Sequence, residues 1–398
     1  MTLKTVPNVL PLGFKASGLS AGIKRSGKPD LALFFSESPC AASAMMTANA
    51  FKAAPLVVSA QHLAASKTRA LIANSGNANC MTGRKGLRDA REMAACVARQ
   101  LALKKEEVLV ASTGIIGKPL ATDKIKAAVP GLVSSLSVKG FPSAAKAVMT
   151  TDTFAKTASL RAVIGGKTVT VCGVCKGAGM IAPRMKMATM LAFCFTDALI
   201  EKTVLKDALA CAVDDSFNAV TIDNCMSTND MVVLMANGRA GNRMIKKGSP
   251  EAVRFSRLLR QVCICLAKMI VEDAEGATKF IEVRISGTAT KPQAKDLAFG
   301  VANSNLFKCA MFGSDPNWGR IAAALGATDS RLKQEDLRIK LNGVYVFNNG
   351  RPVAVKDRGL LKGRNIVVDV AVGRGKSGAV VYTSDLSYGY VRINADYN

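Results

Sequence analysis

Residues 176–197 read KGAGMIAPRMKMATMLAFCFTD, and this stretch constrains the chain more than any other. A small-residue segment, Lys176-Gly177-Ala178-Gly179, runs into an apolar stretch with Ala188-Thr189 at its centre. Only Lys176, Arg184, Lys186, Thr189, Thr196 and Asp197 are neither small nor apolar. Thr189 is therefore a hydroxyl set among Met187, Ala188, Met190 and Leu191. In one reading the run is a buried strand and the hydroxyl bonds a neighbouring backbone carbonyl. In the other, cleavage of the Ala188–Thr189 bond frees the α-amine of Thr189. That amine, with a pKa of about 7.7–8.0 in model compounds, can serve as base for the hydroxyl of the same residue. The local pattern leaves both readings open.

Size and composition narrow the context. A chain of 398 residues exceeds the length at which one core usually stops growing, so two core units or one large layered domain are expected. Hydrophobic residues make up 49% and aromatic ones 5%, which excludes disorder and predicts a core of Ala, Val, Leu, Ile and Met. No apolar run approaches a membrane span, and the opening MTLKTVPNVLPLGFKASG has no secretory pattern. A soluble cytoplasmic protein with no membrane partner is the expectation.

The 11 cysteines are scattered through apolar segments. Cys96, Cys211, Cys263 and Cys265 fall in helix-like stretches and read as small buried hydrophobes in a reducing compartment. Cys172-x-x-Cys175 has no second pair, and His62 is the only histidine. A zinc site is not expected, and no metal is assigned. A single His also argues against Ser-His-Asp and Cys-His mechanisms. The net charge of +25 comes from Lys and Arg spread along the whole chain, with no basic tail or aromatic-interleaved basic face. It reads as a solvated surface rather than a nucleic-acid interface.

Patterning predicts strands over 31–35, 55–59, 70–73, 107–111, 159–164, 168–172, 231–235 and 279–285, and helices over 86–104, 198–213, 250–272 and 293–305. The C-terminal part predicts strands over 340–347, 365–372, 379–383 and 390–393. The mixture is α/β without a strict βαβ rhythm, and no linker, repeat or low-complexity segment interrupts it. Gly373-Arg374-Gly375-Lys376-Ser377-Gly378 lacks phosphate-loop spacing and reads as a turn between strands.

Several polar segments are candidate site walls. Asn74-Ser75-Gly76-Asn77-Ala78-Asn79 either satisfies its own backbone or lines a polar pocket. Ser112-Thr113-Gly114-Ile115-Ile116-Gly117 is a tight turn or an oxyanion-binding loop, Thr113 offering a hydroxyl and Gly114 an accessible N–H. Thr150-Thr151-Asp152-Thr153 is a pocket wall or a local cap. Glu272-Asp273-Ala274-Glu275 places carboxylates at the negative end of a helix, an arrangement that favours a ligand role for one of them.

Taken in order, the motifs GFKASGLSAGIK, IANSGNANCMTG, STGIIG, TTDTF, KGAGMIAP with MATMLAF, STNDMVVLMANG, EGATKFI, DPNWGR and YGYVRINADY resemble the glutamate N-acetyltransferase (ornithine acetyltransferase) family. This family is a self-cleaving branch of the N-terminal-nucleophile-like hydrolases, and the resemblance covers nearly the whole chain. It implies a layered α/β (α+β type) fold, an α-β-β-α sandwich. It also implies an α chain of residues 1–188 and a β chain of 189–398, cut at Ala188–Thr189 and associated as a heterotetramer.

The resemblance implies Thr189 as nucleophile and Thr113 and Gly114 as the oxyanion hole. Thr150, Lys176, Thr189, Glu275 and Asn394 match substrate-binding positions. The substrates implied are N-acetylornithine and glutamate, with no cofactor and with acetyl-CoA as an alternative acetyl donor. Two departures stand out. Ala182-Pro183-Arg184-Met185-Lys186-Met187-Ala188-Thr189 is two residues longer than the family pattern APNMATML. The sequence stops at Tyr397-Asn398 where the family continues to a final Thr, so the last contact is either missing or replaced by Asn398. Glu272 and Asp273 are alternatives to Glu275. An uncleaved or weakly active relative and an N-terminal-nucleophile amidase or aminopeptidase are the alternatives to acetyl transfer.

Overall fold

The computed structural model describes residues 4–5, 9–182, 190–355 and 359–396. Ala188, Thr189 and Asn398 lie outside the described residues. The rest is mixed α/β with two sheets, as expected, and divides into two compact units. The first takes the chain up to Gly177, then the described residues through Asn218, and Met226–Ile270. The second takes Ala178–Ala182, Ala219–Cys225 and the chain from Val271 onward. This division is spatial, whereas the expected cut at 188/189 is covalent.

The first unit is built on a nine-stranded sheet. Its path runs Lys4–Thr5, Lys156–Ile164, Lys167–Lys176, Leu191–Thr196, Met231–Ala236, Leu31–Met46, Thr68–Asn77, Val108–Ile115, with Phe14–Leu19 also paired to Leu31–Met46. Leu191–Thr196 and Met231–Ala236 pair in parallel, and every residue of both is buried. Continuous apolar strands of this kind need cover on both faces.

Alternation along the neighbouring strands supplies two cores. Leu31, Leu33, Ala70, Ile72, Val108 and Val110 face Met93, Val97 and Val129 of the flanking helices. Ala32, Phe34, Leu71, Ala73, Leu109 and Ala111 face the other way. That second core is not purely aliphatic. Phe34 stacks on Phe195 at 4.9 Å and meets Phe193 and Phe141 edge-on at 5.7 and 6.3 Å. Here large rigid rings fill the space above small strand residues such as Ala32 and Ala73.

The second unit has a seven-stranded sheet in the order Arg351–Pro352, Val344–Asn348, Arg338–Leu341, Asn365–Ala371, Phe280–Thr288, Ser377–Ser384, Val220–Thr221. Helix Lys291–Ala302 contributes Leu297, Ala298 and Val301 to its core. Residues 373–376 form the turn ahead of Ser377–Ser384, as the spacing predicted.

Five expectations are corrected. Residues 55–59 lie in helix Ala54–Ala65, because Pro55 suits a first helical turn and outweighs the β-branched Val57-Val58 pair. Residues 390–393 lie in helix Tyr388–Ala395, started by the Ser387 side chain accepting the Tyr390 N–H. The helix over 293–305 is two, Lys291–Ala302 and Asn305–Phe312, the second capped by Ser304. The strand over 340–347 is a hairpin turning at Asn342-Gly343, both at positive φ. Of the helical cysteines, Cys211 is exposed and Cys265 half-buried, because the helix turns them away from the core that takes Cys96 and Cys263.

Candidate active site

In the first unit, strands Thr68–Asn77 and Val108–Ile115 run in parallel and pair Ser75 with Thr113 and Gly76 with Gly114. Gly114 has φ +134°, and a Cβ there would stand 2.3 Å from the Gly76 carbonyl carbon. The close approach of these two strand ends requires glycine. Residue 114 therefore continues a strand rather than a turn. Thr113 is buried beside it, and its Oγ1 accepts a hydrogen bond from Lys176 Nζ at 3.3 Å. Lys176 is the last residue of strand Lys167–Lys176. An ammonium can only donate, so the Thr113 hydroxyl proton is directed to another acceptor. An oxyanion donor needs that orientation.

The amide-rich segment after Asn74 serves the chain itself. Asn74 Nδ2 donates to Asn77 O at 2.9 Å and Ser112 Oγ to Asn74 Oδ1 at 2.6 Å. Asn77 Nδ2 donates to the Lys118 and Pro119 carbonyls. Asn229 Nδ2 bonds Ala78 O at 2.6 Å and Ser112 O at 2.8 Å. These bonds fix the strand end that carries Thr113.

Around Thr150 the local cap is present, and the same carboxylate forms a buried ion pair. Asp152 Oδ2 accepts the Thr150 N–H at 2.8 Å, while Oδ1 accepts Lys156 Nζ at 2.6 Å and the Gly177 N–H at 2.7 Å. Burial pushes the Asp152 carboxyl up, but Lys176, Lys156 and the Gly177 N–H outweigh it and hold it at about 2. Lys156 was not singled out by the sequence. Its only signal there is the four-residue spacing from Asp152.

In the second unit, the acid run after helix Pro250–Glu272 has one exposed and two buried members, Asp273 and Glu275 being the buried ones. Glu272 is exposed, whereas Glu275 is buried and its Oε2 accepts Asn394 Nδ2 at 2.9 Å. Two expected substrate positions thus meet directly. Gly179 lies flat on this carboxylate, since a Cβ there would come 2.3 Å from Oε2. The second glycine of KGAG is the price of that contact.

Asp223, which the sequence did not single out, holds the segment Ala178–Ala182. It accepts the Met180 and Ile181 N–H groups at 2.6 and 2.9 Å and the Tyr390 hydroxyl at 3.3 Å. Burial raises its carboxyl above the usual range, with Glu275 adding to the effect and the backbone N–H groups opposing it.

Other candidate groups are structural. His62 is buried with Nδ1 2.8 Å from Val108 O. Burial pushes the Cys172 and Cys175 thiols well above the usual range, so neither is a ready thiolate. Among the described residues, no group of three His, Cys, Asp or Glu side chains is placed to hold a metal ion. No helix among them is long and apolar enough to cross a membrane. The buried basic residues are Lys156, Lys279 and Lys308, so the basic surplus among the described residues is carried nearer the surface.

A family model described as the ArgJ family matches residues 15–398. The arginine biosynthesis bifunctional protein ArgJ of Geobacter sulfurreducens is 44% identical over 392 residues, covering 97% of this chain and 98% of its own length. The chain belongs to the ArgJ family. The ArgJ of Gloeobacter violaceus is 45% identical, with 97% of this chain and 96% of its own covered. As an ArgJ-family member the chain is an enzyme, a glutamate N-acetyltransferase of arginine biosynthesis that acts on small-molecule substrates.

Among solved structures, ArgJ from Bacillus halodurans is 37% identical with a TM-score of 0.44, covering 46% of this chain and 98% of its own. The ornithine acetyltransferase of Mycobacterium tuberculosis, complexed with ornithine, is 39% identical with a TM-score of 0.43 and the same coverages of 46% and 98%.

Proposed function

We propose that this ArgJ-family enzyme moves an acetyl group from N-acetylornithine to glutamate by double displacement through an acetyl ester on Thr189. Cleavage at Ala188–Thr189 frees the Thr189 α-amine and leaves an α chain of 1–188 and a β chain of 189–398. The Thr189 Oγ attacks the acetyl carbonyl carbon and passes its proton to the α-amine. The carbonyl oxygen becomes an oxyanion, which accepts from the Thr113 hydroxyl and the Gly114 N–H. Collapse breaks the C–N bond, the α-ammonium protonates the departing amine, and ornithine leaves. The glutamate amine then attacks the ester, loses its proton to the α-amine, and releases the Thr189 hydroxyl as N-acetylglutamate forms.

Lys176 and Thr150 hold a substrate carboxylate in this scheme, Glu275 with Asn394 receives the substrate's amino end, and Asn398 completes the contacts. No cofactor takes part, and acetyl-CoA is the alternative donor. The fragments remain together as a cytoplasmic heterotetramer. The observation that carries the reading is the Lys176–Thr113 hydrogen bond, because it leaves the Thr113 proton for an oxyanion. Initial rates at several concentrations of N-acetylornithine and glutamate test it. Double displacement predicts parallel double-reciprocal lines. Release of acetate that is independent of glutamate contradicts transfer and favours an amidase.

A further inference from the structure

Asp152 and Lys156 form an ion pair with both side chains fully buried. Neither residue belongs to the substrate contacts set out above, yet the pair sits between two of them. Asp152 accepts the backbone N–H of Thr150 with one oxygen and that of Gly177, next to Lys176, with the other. The oxygen bonded to Gly177 also takes the Lys156 ammonium. A third lysine supports the same turn: Lys24 Nζ donates to Met149 O at 2.7 Å and Pro29 O at 2.8 Å. The Asp152 carboxylate thus bonds the Lys156 ammonium and feels the charges of Lys176, which reaches Thr113, and of Lys24.

We propose that Asp152 is a positioning residue for acetyl transfer. Through Thr150 and Gly177 it fixes two substrate-contacting positions relative to each other. Through a charge shared between Lys156 and Lys176 it keeps Lys176 a charged anchor for a substrate carboxylate. The proposal rests on the acetyl-transfer reading for the roles of Thr150 and Lys176. Asp152 interacts with both Lys176 and Lys156, Cys175 with all three, and Lys24 with Lys176, with Asp30 and Lys28 around Lys24. A carboxylate raises the pKa of a neighbouring ammonium and a second ammonium lowers it. The two members of the pair thus act on Lys176 in opposite directions.

The test compares the full-length parent with Asp152→Asn, Lys156→Met and the double variant. Three quantities are read: melting temperature, kcat/KM for acetyl transfer, and the pH at which Lys176 is half-labelled by an amine-reactive reagent, followed by peptide mass spectrometry. Asp152→Asn should lower kcat/KM about tenfold or more, the scale of a lost charge-assisted hydrogen bond. It should also move Lys176 labelling to lower pH. Lys156→Met should move labelling to higher pH and lower kcat/KM less than Asp152→Asn does. The double variant removes the stranded buried charge, so it should recover melting temperature relative to Asp152→Asn without recovering kcat/KM.

Unshifted labelling in both single variants, or parental kcat/KM in the double variant, overturns the proposal. If Asp152→Asn does not fold, Lys156→Met and the double variant carry the same test. If the parent transfers no acetyl group, the acetyl-transfer reading fails and the role in transfer with it, while the labelling shifts separately decide whether Asp152 keeps Lys176 charged.

Discussion

Thr113 receives a hydrogen bond from Lys176 and so presents its own proton elsewhere. Two expectations follow at the residue level. Thr113→Ala should fold normally and lose about 10²–10³-fold in kcat, the typical effect of one missing oxyanion donor. Near-parental kcat would remove Thr113 from the chemistry. The second concerns acid. The Asp152 carboxyl is held at about 2 in the folded state against an ordinary 3.8. A depressed acid contributes stability that is present above its unfolded pKa and lost as pH falls through the folded one. The stability gap between the parent and the Asp152→Asn/Lys156→Met double variant should therefore narrow as pH drops from about 4 to 2. Urea midpoints measured across that range check it, and a constant gap contradicts it. Individual polar residues were legible where a motif isolates them, as with Thr113, Thr150 and Lys176. Asp223 was not, because its partner Tyr390 is brought to it by the fold; Lys156 was not, because a four-residue spacing from Asp152 is too common to mark a buried ion pair.

Elements with a single dominant signal were read correctly from the sequence. The apolar spacing of Met93, Ala94, Val97 and Leu101 gives helix Gly83–Leu101, and Ser249-Pro250 opens helix Pro250–Glu272. Competing signals caused the errors. In Tyr388–Ala395, aromatic and β-branched residues favour a strand, and the Ser387 cap decides for helix. The same serine matters to the site. Its hydroxyl donates to the Gly276 carbonyl, tying the turn after Glu275 to the helix that carries Asn394. Ser387→Ala should cost about 1 kcal/mol of stability, as for other lost N-caps, and should raise KM for N-acetylornithine more than it lowers kcat. A thermal melt and steady-state kinetics measure both. An unchanged KM would show that the Glu275–Asn394 pair does not depend on that tie. Gly114 shows how an element can be misread for the right residue. The glycine is needed, but for the approach of strand Thr68–Asn77 rather than for a turn.

At the scale of the whole molecule, length left two core units or one large layered domain open, and two units are found. Their composition was not legible, because residues 178–182 and 219–225 join the second unit by pairings with no sequence signature, such as the Ile222 N–H to Ile181 O bond at 2.7 Å. The proposed maturation cuts the chain at a different place from this spatial division, after Ala188. Everything in the mechanism that requires a free α-amine depends on that cut. The most direct measurement is the intact mass of the purified protein, with Thr189→Ala prepared alongside. The account predicts two fragments from the parent, the second beginning at Thr189, and one uncut chain from the variant. A single uncut chain from both, in a preparation that still transfers acetyl groups, would contradict it.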